Sequence, residues 1–180
     1  LPLVVVTLQW STKLYERSGL RGELLPRSLI DYICQNDSVA WLVRPHQVQV
    51  RESKGAIFSR IREVFHSCHT LVDPNVTGGL ALPAVLSESV AHITRYSSTS
   101  IEASWLGVPS WQFTTAPLPI GSPLVSSGTD ISKLNHWLMH IASGPQREKI
   151  SPSSELVSQS TTSANLLRAC GISPDELPRA

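Results

Sequence analysis

The sequence lacks the glycine motifs that mark several common classes of enzyme. No Gly-x-Gly-x-x-Gly follows the first apolar run, which argues against a dinucleotide cofactor site of the usual type. No Gly-Lys-Ser/Thr is present, which excludes the common phosphate-loop ATPases and GTPases. No Gly-x-Ser-x-Gly surrounds a serine, so a hydrolase nucleophile elbow is also excluded. Contact by hydroxyls and backbone N–H groups is then the simplest way for the sequence to bind a phosphate.

Neither sign of charge is in clear excess, and cysteine is scarce. The net charge of +1 argues against a dedicated nucleic-acid binder, which carries clustered basic residues. The sequence has three cysteines, Cys34, Cys68 and Cys170, an odd number without disulfide-like spacing. This favours a reducing, cytoplasmic compartment. His66 and His69 flank Cys68, but no second ligand pair has matching spacing. The sequence therefore predicts no metal site.

Long apolar runs are missing too. The apolar opening, Leu3 to Leu8, is too short to span a membrane and lacks the basic flank of a signal peptide. A length of 180 residues predicts one domain. We assign residues 1–143 to an α/β domain and 144–180 to a Ser/Thr-rich connection, with a terminal helix near Asn165 to Cys170 that packs on the same domain.

What is present is a regular alternation of β-branched runs with amphipathic segments. Such alternation is typical of right-handed crossovers that build an open parallel sheet, so the predicted class is a Rossmann-like, three-layer α/β fold. A loop rich in Pro and Gly, Ala116 to Gly128, is expected to be mobile. The predicted strands are Leu3–Gln9, Val39–Val43, Thr70–Val72, Val90–Thr94 and Ser110–Phe113, and the helices are Pro26–Gln35, Ala56–Phe65, Leu80–Leu86, Thr99–Leu106 and Ile131–Ala142.

Polar side chains follow every predicted strand. Because the carboxyl ends of parallel strands meet at one edge of a sheet, these side chains are expected to share a ligand crevice. Turns also favour Asp, Asn and Ser on their own account, so a purely structural role is the alternative. The residues at these exits are Gln9-Trp10-Ser11, Arg44-Pro45-His46, Asp73-Pro74-Asn75, Arg95-Tyr96-Ser97-Ser98 and Thr114-Thr115.

The segment from Tyr96 to Ser110 compresses a strand exit, a hydroxyl-rich turn, a helix and the next strand. Its consecutive hydroxyl residues are suited to capping a helix that starts near Ser98. Free N–H groups at such a helix start, together with the helix dipole, favour a phosphate. Gly107 closes the helix and Pro109 prevents its continuation.

The same segment carries a resemblance to a known family. Paired serines, a helix with Glu102, and then Trp105-Leu106-Gly107-Val108-Pro109 resemble the donor-binding turn of GT-B-type glycosyltransferases, in particular the capsule and surface-polysaccharide enzymes. The resemblance is sharp from Tyr96 to Ser110 and extends as a pattern over Leu3 to Phe113. It implies one half of a GT-B architecture, the carboxyl-terminal donor domain. Ser97, Ser98 and Thr99 would then contact donor phosphate, and Glu102 a ribose or sugar hydroxyl.

A second part of the resemblance lies at the end of the second strand. Several related transferases carry Trp-x-x-Arg-x-His-Pro, whose histidine contacts donor phosphate. Trp41, Arg44 and His46 match, but Gln47 replaces the proline and Pro45 precedes the histidine. The resemblance implies phosphate contacts from Arg44 and His46, with His46 as a stabiliser of the leaving group. The alternative is a surface histidine without a ligand.

Other exit residues are candidates for the base and the rest of the crevice. Asp73 and Asn75 occupy the slot where related enzymes place a loop over the nucleotide base, although a plain Asp-Pro turn explains them equally well. Trp10 is suited to stacking on a base or sugar, or to packing in the core. Gln9 and Tyr96 complete the predicted crevice.

The resulting hypothesis is a donor domain that binds a CMP- or UDP-linked sugar as substrate, with no cofactor, in bacterial surface-polysaccharide synthesis. The resemblance implies that a missing amino-terminal domain binds the glycan acceptor and supplies the catalytic base. Peripheral association with the inner face of the membrane stays open, because in such families it often depends on the missing domain. Two alternatives stay open, a nucleotide-sugar 2-epimerase-like domain and a non-catalytic α/β module that binds a protein partner or a regulatory nucleotide.

Overall fold

The computed structural model describes residues 1–9, 23–77, 80–117 and 120–144, and these build an open parallel sheet flanked by helices. The sheet has five strands in the order β2-β1-β3-β4-β5, and every neighbouring pair is parallel. The predicted α/β class is confirmed. The strands are β1 (Leu3–Thr7), β2 (Ala40–Arg44), β3 (Ala91–Thr94), β4 (Ser110–Gln112) and β5 (Val125–Ser127).

Helices occupy both faces of the sheet, which gives three layers. On one face the buried side chains of α1, α3 and α6 pack against strand residues such as Val4, Trp41 and Ile93. On the other face α4 and α5 pack against Val5 and Leu42. The helices are α1 (Arg27–Gln35), α2 (Gln47–Glu52), α3 (Ala56–Val64), α4 (Leu82–Ser87), α5 (Thr99–Trp105) and α6 (Ile131–Ala142), with a 3-10 helix at Pro74–Thr77.

The strict alternation of the strands assigns side chains to the two faces. Val4 and Val6 join the larger apolar cluster while Val5, between them, joins the smaller one, because successive strand residues point to opposite sides. All three valines are fully buried. The run of β-branched residues therefore reflects a central strand that is covered on both faces.

The structure differs from the sequence predictions in four places. The loop Ala116 to Gly128 contains strand β5, which the sequence analysis missed because Val125-Ser126-Ser127 is a short, half-polar edge strand. The third predicted strand is reduced to one bridge between Leu71 and Trp41. Helix α2 was not predicted at all, and the helix predicted to start at Leu80 begins at Leu82.

Some predictions fall on parts of the chain that the structure leaves undescribed. The helix near Asn165 to Cys170, the connection 144–180 beyond Gly144, and Trp10 lie outside the described residues. Within the described ranges, no helix combines the length and the apolar character needed to cross a membrane.

Candidate functional site

A crevice opens at the carboxyl ends of the central strands. Strand β1 lies between β2 and β3, so the chain leaves β1 toward one side of the sheet and later returns to its other side. Ligands of open α/β sheets bind at such switch points. The crevice has a volume of about 610 Å³. It is lined by Thr7, Leu8, Gln9, Arg44, Pro45, His46, Gln47, Leu82, Tyr96, Ser97, Ser98, Thr99 and Glu102.

The structure brings most of the predicted site residues together in this crevice. The predicted residues that line it are Gln9, Arg44, His46, Tyr96, Ser97, Ser98, Thr99 and Glu102. Asp73 and Asn75 are not among the lining residues: the Asp73 carboxylate accepts the Asn75 N–H at 3.0 Å and pairs with Arg62 at 3.3 Å. The segment that precedes them pairs with the outer side of β2, through Leu71 and Trp41, so it ends away from the switch point.

Arg44 supplies the cationic group of the crevice. It is the last residue of β2 and is half-buried, and its Nη2 donates to the carbonyl oxygen of Leu80. Burial lowers the pKa of Arg44 from its usual value. A guanidinium nevertheless stays protonated in proteins, so a positive charge is present at this wall of the crevice.

His46 lies two residues farther along, and its backbone position is set by the start of α2. Its Nδ1 accepts the Val48 N–H at 3.2 Å, while the His46 N–H donates to Gln49 Oε1 at 2.8 Å. The Gln49 amide also donates to the Gln9 carbonyl at 3.0 Å, which ties α2 to the end of β1. Burial lowers the pKa of His46. Since Nδ1 is an acceptor, the neutral ring carries its proton on Nε2.

This reciprocal cap explains why α2 exists although its sequence carries no strong helix signal. The His46 ring accepts a backbone N–H of the first turn, and the Gln49 side chain accepts the His46 N–H, as in a capping box. The sequence signal was the spacing of His46 and Gln49, with histidine in the place of the usual Ser or Thr.

The hydroxyl-rich turn after β3 forms the opposite wall. Ser97 Oγ accepts the Thr99 N–H at 3.3 Å and lies 3.1 Å from Thr99 Oγ1. Ser98 occupies the N-cap position of α5, but its side chain makes no capping hydrogen bond. The predicted cap is therefore supplied by Ser97, and the exposed Ser98 side chain lines the crevice.

Helix α5 places a carboxylate on the same wall and then ends as predicted. Glu102 lies in its first turn and lines the crevice. Gly107 has φ of 69°, and its N–H donates to Ser104 O at 3.0 Å while the Val108 N–H donates to Ala103 O at 2.7 Å. A left-handed glycine with these two bonds is a common helix end.

A buried row of polar side chains lies behind the hydroxyl-rich turn that contains Ser97 and Thr99. These side chains were not predicted from the sequence. His92 is fully buried; its Nε2 lies 2.9 Å from Thr7 Oγ1 and its Nδ1 3.0 Å from Ser110 Oγ. Thr7 Oγ1 is in turn 3.3 Å from Thr99 Oγ1. Burial lowers the pKa of His92 to about 3, so the ring is neutral. The available signal was the alternation of polar residues along β3 and β4, at His92 and Thr94 and at Ser110 and Gln112.

Comparison with known proteins assigns no family, since no protein-family model matches the chain and no curated protein matches its sequence. The chemistry of the crevice is therefore the basis for its function.

The crevice combines several hydrogen-bond donors with one carboxylate. Arg44, the Nε2–H of His46 and the hydroxyls of Ser97 and Ser98 are suited to phosphate oxygens. Glu102 is suited to accepting bonds from the hydroxyls of a sugar. Within the described ranges, no group of three or more His, Cys, Asp or Glu side chains is placed to hold a metal ion. The arrangement fits a phosphate-bearing sugar derivative held by side chains.

Proposed function

We propose that the crevice binds the phosphate and sugar of a nucleotide-sugar, and that the chain is the donor-binding domain of a GT-B-like glycosyltransferase. The observation that carries this proposal is the meeting, at one switch point, of Arg44 and His46 from β2 with the Ser97 turn from β3. Cationic and hydroxyl donors from two strands thus converge on one volume, with Glu102 beside them.

The dimensions and composition of the crevice support a small-molecule ligand. Its volume of about 610 Å³ lies within the ~300–1,000 Å³ that is usual for small-molecule sites. Leu8, Pro45 and Leu82 add apolar surface beside the polar groups, and Tyr96 is 41% exposed at the rim. Such a mixed lining suits a ligand with an apolar base or sugar face and a charged phosphate.

The proposed role in catalysis is limited to the donor. Arg44 and the Nε2–H of His46 would stabilise negative charge as it develops on the leaving nucleotide phosphate. A second domain would bind the glycan acceptor and supply the base. The nucleotide of the donor would be CMP or UDP. The enzyme would act in the synthesis of a bacterial surface polysaccharide, at the cytoplasmic side of the membrane.

Calorimetric titration of the chain with CMP, UMP, UDP and ADP tests the binding step. We expect one pyrimidine nucleotide to bind, and Arg44→Met to weaken it by about tenfold or more, because a hydrogen bond to a charged group contributes roughly 1.5–3 kcal/mol. Uncharged cytidine and uridine should bind with little change in this variant.

Arg62→Met is the matched control, since Arg62 lies on α3 outside the crevice and pairs with Asp73. It should leave nucleotide affinity unchanged. Nucleotide binding that is equally weak in both variants would contradict the assignment of phosphate to the crevice. If none of the four nucleotides binds, the non-catalytic module becomes the better description.

A further inference from the structure

A continuous chain of side-chain hydrogen bonds connects the interior of the sheet with the crevice. It starts at Ser110 on β4, passes through His92 on β3 and Thr7 on β1, and reaches Thr99 and Ser97 at the crevice. Successive polar atoms are 3.0, 2.9, 3.3 and 3.1 Å apart. Ser110 and His92 are fully buried, whereas Ser97 is half-buried and lines the crevice.

Such a chain has a direction, because each hydroxyl has one proton to donate. The neutral His92 ring donates from one nitrogen and accepts at the other. If Nδ1 carries the proton, every bond points inward and the Ser97 proton is used on Thr99. If Nε2 carries the proton, His92 donates to Thr7, whose buried hydroxyl then has Thr99 as its acceptor among the described residues. Thr99 in turn donates to Ser97, so that every bond points outward. The proton of Ser97 is then available to the crevice.

The buried end of the chain distinguishes these two directions. Among the described residues, the hydrogen bond to His92 is the only one made by the Ser110 side chain. With the inward direction, Ser110 would accept from His92 and its own buried O–H would have no acceptor. With the outward direction, Ser110 donates to Nδ1 and no buried donor is orphaned. Orphaned buried donors are rare in folded proteins.

We propose that this chain has a fixed outward direction, with His92 as its Nε2–H tautomer, and that it makes Ser97 a hydrogen-bond donor toward an anion in the crevice. His92 and Thr7 are positioning residues in this scheme, since they act on the ligand through Thr99 and Ser97. The identity of the anion as a phosphate rests on the proposed function. The direction of the hydrogen bonds from Ser110 to Ser97 does not.

The tautomer of His92 is directly measurable in the ligand-free, 180-residue protein. Long-range proton–nitrogen NMR spectra of the nitrogen-15-labelled protein separate Nε2–H from Nδ1–H rings, and loss of one ring in His92→Gln assigns it among the six histidines. We expect a neutral Nε2–H ring at pH 7. A neutral Nδ1–H ring, or a mixture of both tautomers, would overturn the fixed direction. If the variant folds poorly, through-space NMR contacts of the ring with Thr7 and Ser110 assign it in the wild-type protein instead.

Binding of inorganic phosphate, followed by NMR shifts at constant ionic strength, tests the crevice end of the chain. Ser97→Ala should weaken phosphate binding by about tenfold or more, because the lost donor is a charge-assisted and pre-oriented one. The matched control Ser98→Ala removes a hydroxyl that makes no capping bond and must be ordered by the ligand. Its effect should be smaller.

The two measurements separate this proposal from the proposed function. An Nε2–H ring with phosphate binding that depends on Ser97 supports both. An Nε2–H ring with no binding of phosphate or nucleotide supports the outward direction and contradicts the proposed function. Equal losses in Ser97→Ala and Ser98→Ala would refute the special role of Ser97, even if nucleotide binding itself is confirmed.

Discussion

The two faces of the sheet are packed in different ways. The face under α1, α3 and α6 is almost entirely apolar, with Trp41 and Ile93 among its fully buried side chains. The face under α4 and α5 has a smaller apolar cluster. Next to that cluster, the buried polar residues Thr7, His92 and Ser110 form their own hydrogen bonds. One sheet therefore has an apolar face and a polar face.

This difference assigns separate roles to the two faces. Burial of apolar area is the main favourable term in folding, so most of the stability is expected from the apolar face. Buried polar groups contribute little net stability, but they hold side chains in fixed directions when every group is satisfied. The polar face connects to the crevice by side-chain hydrogen bonds, through Thr99 and Ser97. We infer that the polar face is kept for binding and the apolar face for stability.

The largest expected effect comes from a truncation on the apolar face. Ile93→Ala should lower the free energy of unfolding by about 2–5 kcal/mol, because it removes buried methylenes and leaves a cavity. Urea unfolding measures this loss. Leu106→Ala is the control, since Leu106 is 37% exposed and its truncation should change stability by no more than about 0.5 kcal/mol. Phosphate affinity of the folded Ile93→Ala protein should be unchanged, and a large loss of affinity would break the division between the faces.

The polar face should be the more sensitive to acid. The pKa of folded His92 is about 3, below the usual value near 6.5, so the unfolded state takes up a proton that the folded state does not. The stabilising effect of a depressed pKa is complete above about pH 6.5 and is lost as the pH falls toward 3. Between pH 7 and pH 5 the loss due to His92 should be about 2 kcal/mol.

Urea unfolding of the wild type and His92→Gln at both pH values isolates this effect. The variant keeps a polar side chain but cannot titrate, so its stability should fall less between pH 7 and pH 5. Other groups, including His46, are present in both proteins and cancel in the difference. His136→Gln, on the exposed side of α6, is the control and should follow the wild type. Parallel curves for the wild type and His92→Gln would show that His92 titrates normally.

The architecture was largely predictable from the sequence because it follows from periodicity. The continuous Val4-Val5-Val6 run indicated a strand covered on both faces, and the spacing in Ile131 to Ala142 gave the bounds of α6. Strand β5 and helix α2 were missed for physical reasons. An edge strand needs no apolar run, and a six-residue helix fixed by a histidine cap has too little periodicity to detect.

The candidate site was predictable to the extent that it depends on strand ends. Arg44, His46 and Ser97 meet because parallel strands finish at one edge. Asp73 and Asn75 do not join them, since the order of strands within a sheet cannot be read from their order along the chain. The chain through His92 depends on side-chain contacts across three strands, which a single sequence does not specify.

The smallest expected effect has the opposite sign and concerns Ser100, on the α5 side of the polar face. Ser100 is fully buried, and its Oγ has no hydrogen-bond partner in the described part of the chain. Ser100→Ala should raise the free energy of unfolding by about 1 kcal/mol, because it removes an unsatisfied hydroxyl and introduces a better helix former. The matched change Ser104→Ala, whose hydroxyl donates to Ile101 O at 2.8 Å, should not stabilise the protein. Destabilisation by Ser100→Ala would instead show that this hydroxyl has a hydrogen-bond partner. The hydrogen bonds of the polar face would then extend beyond the row of side chains from Ser110 to Ser97.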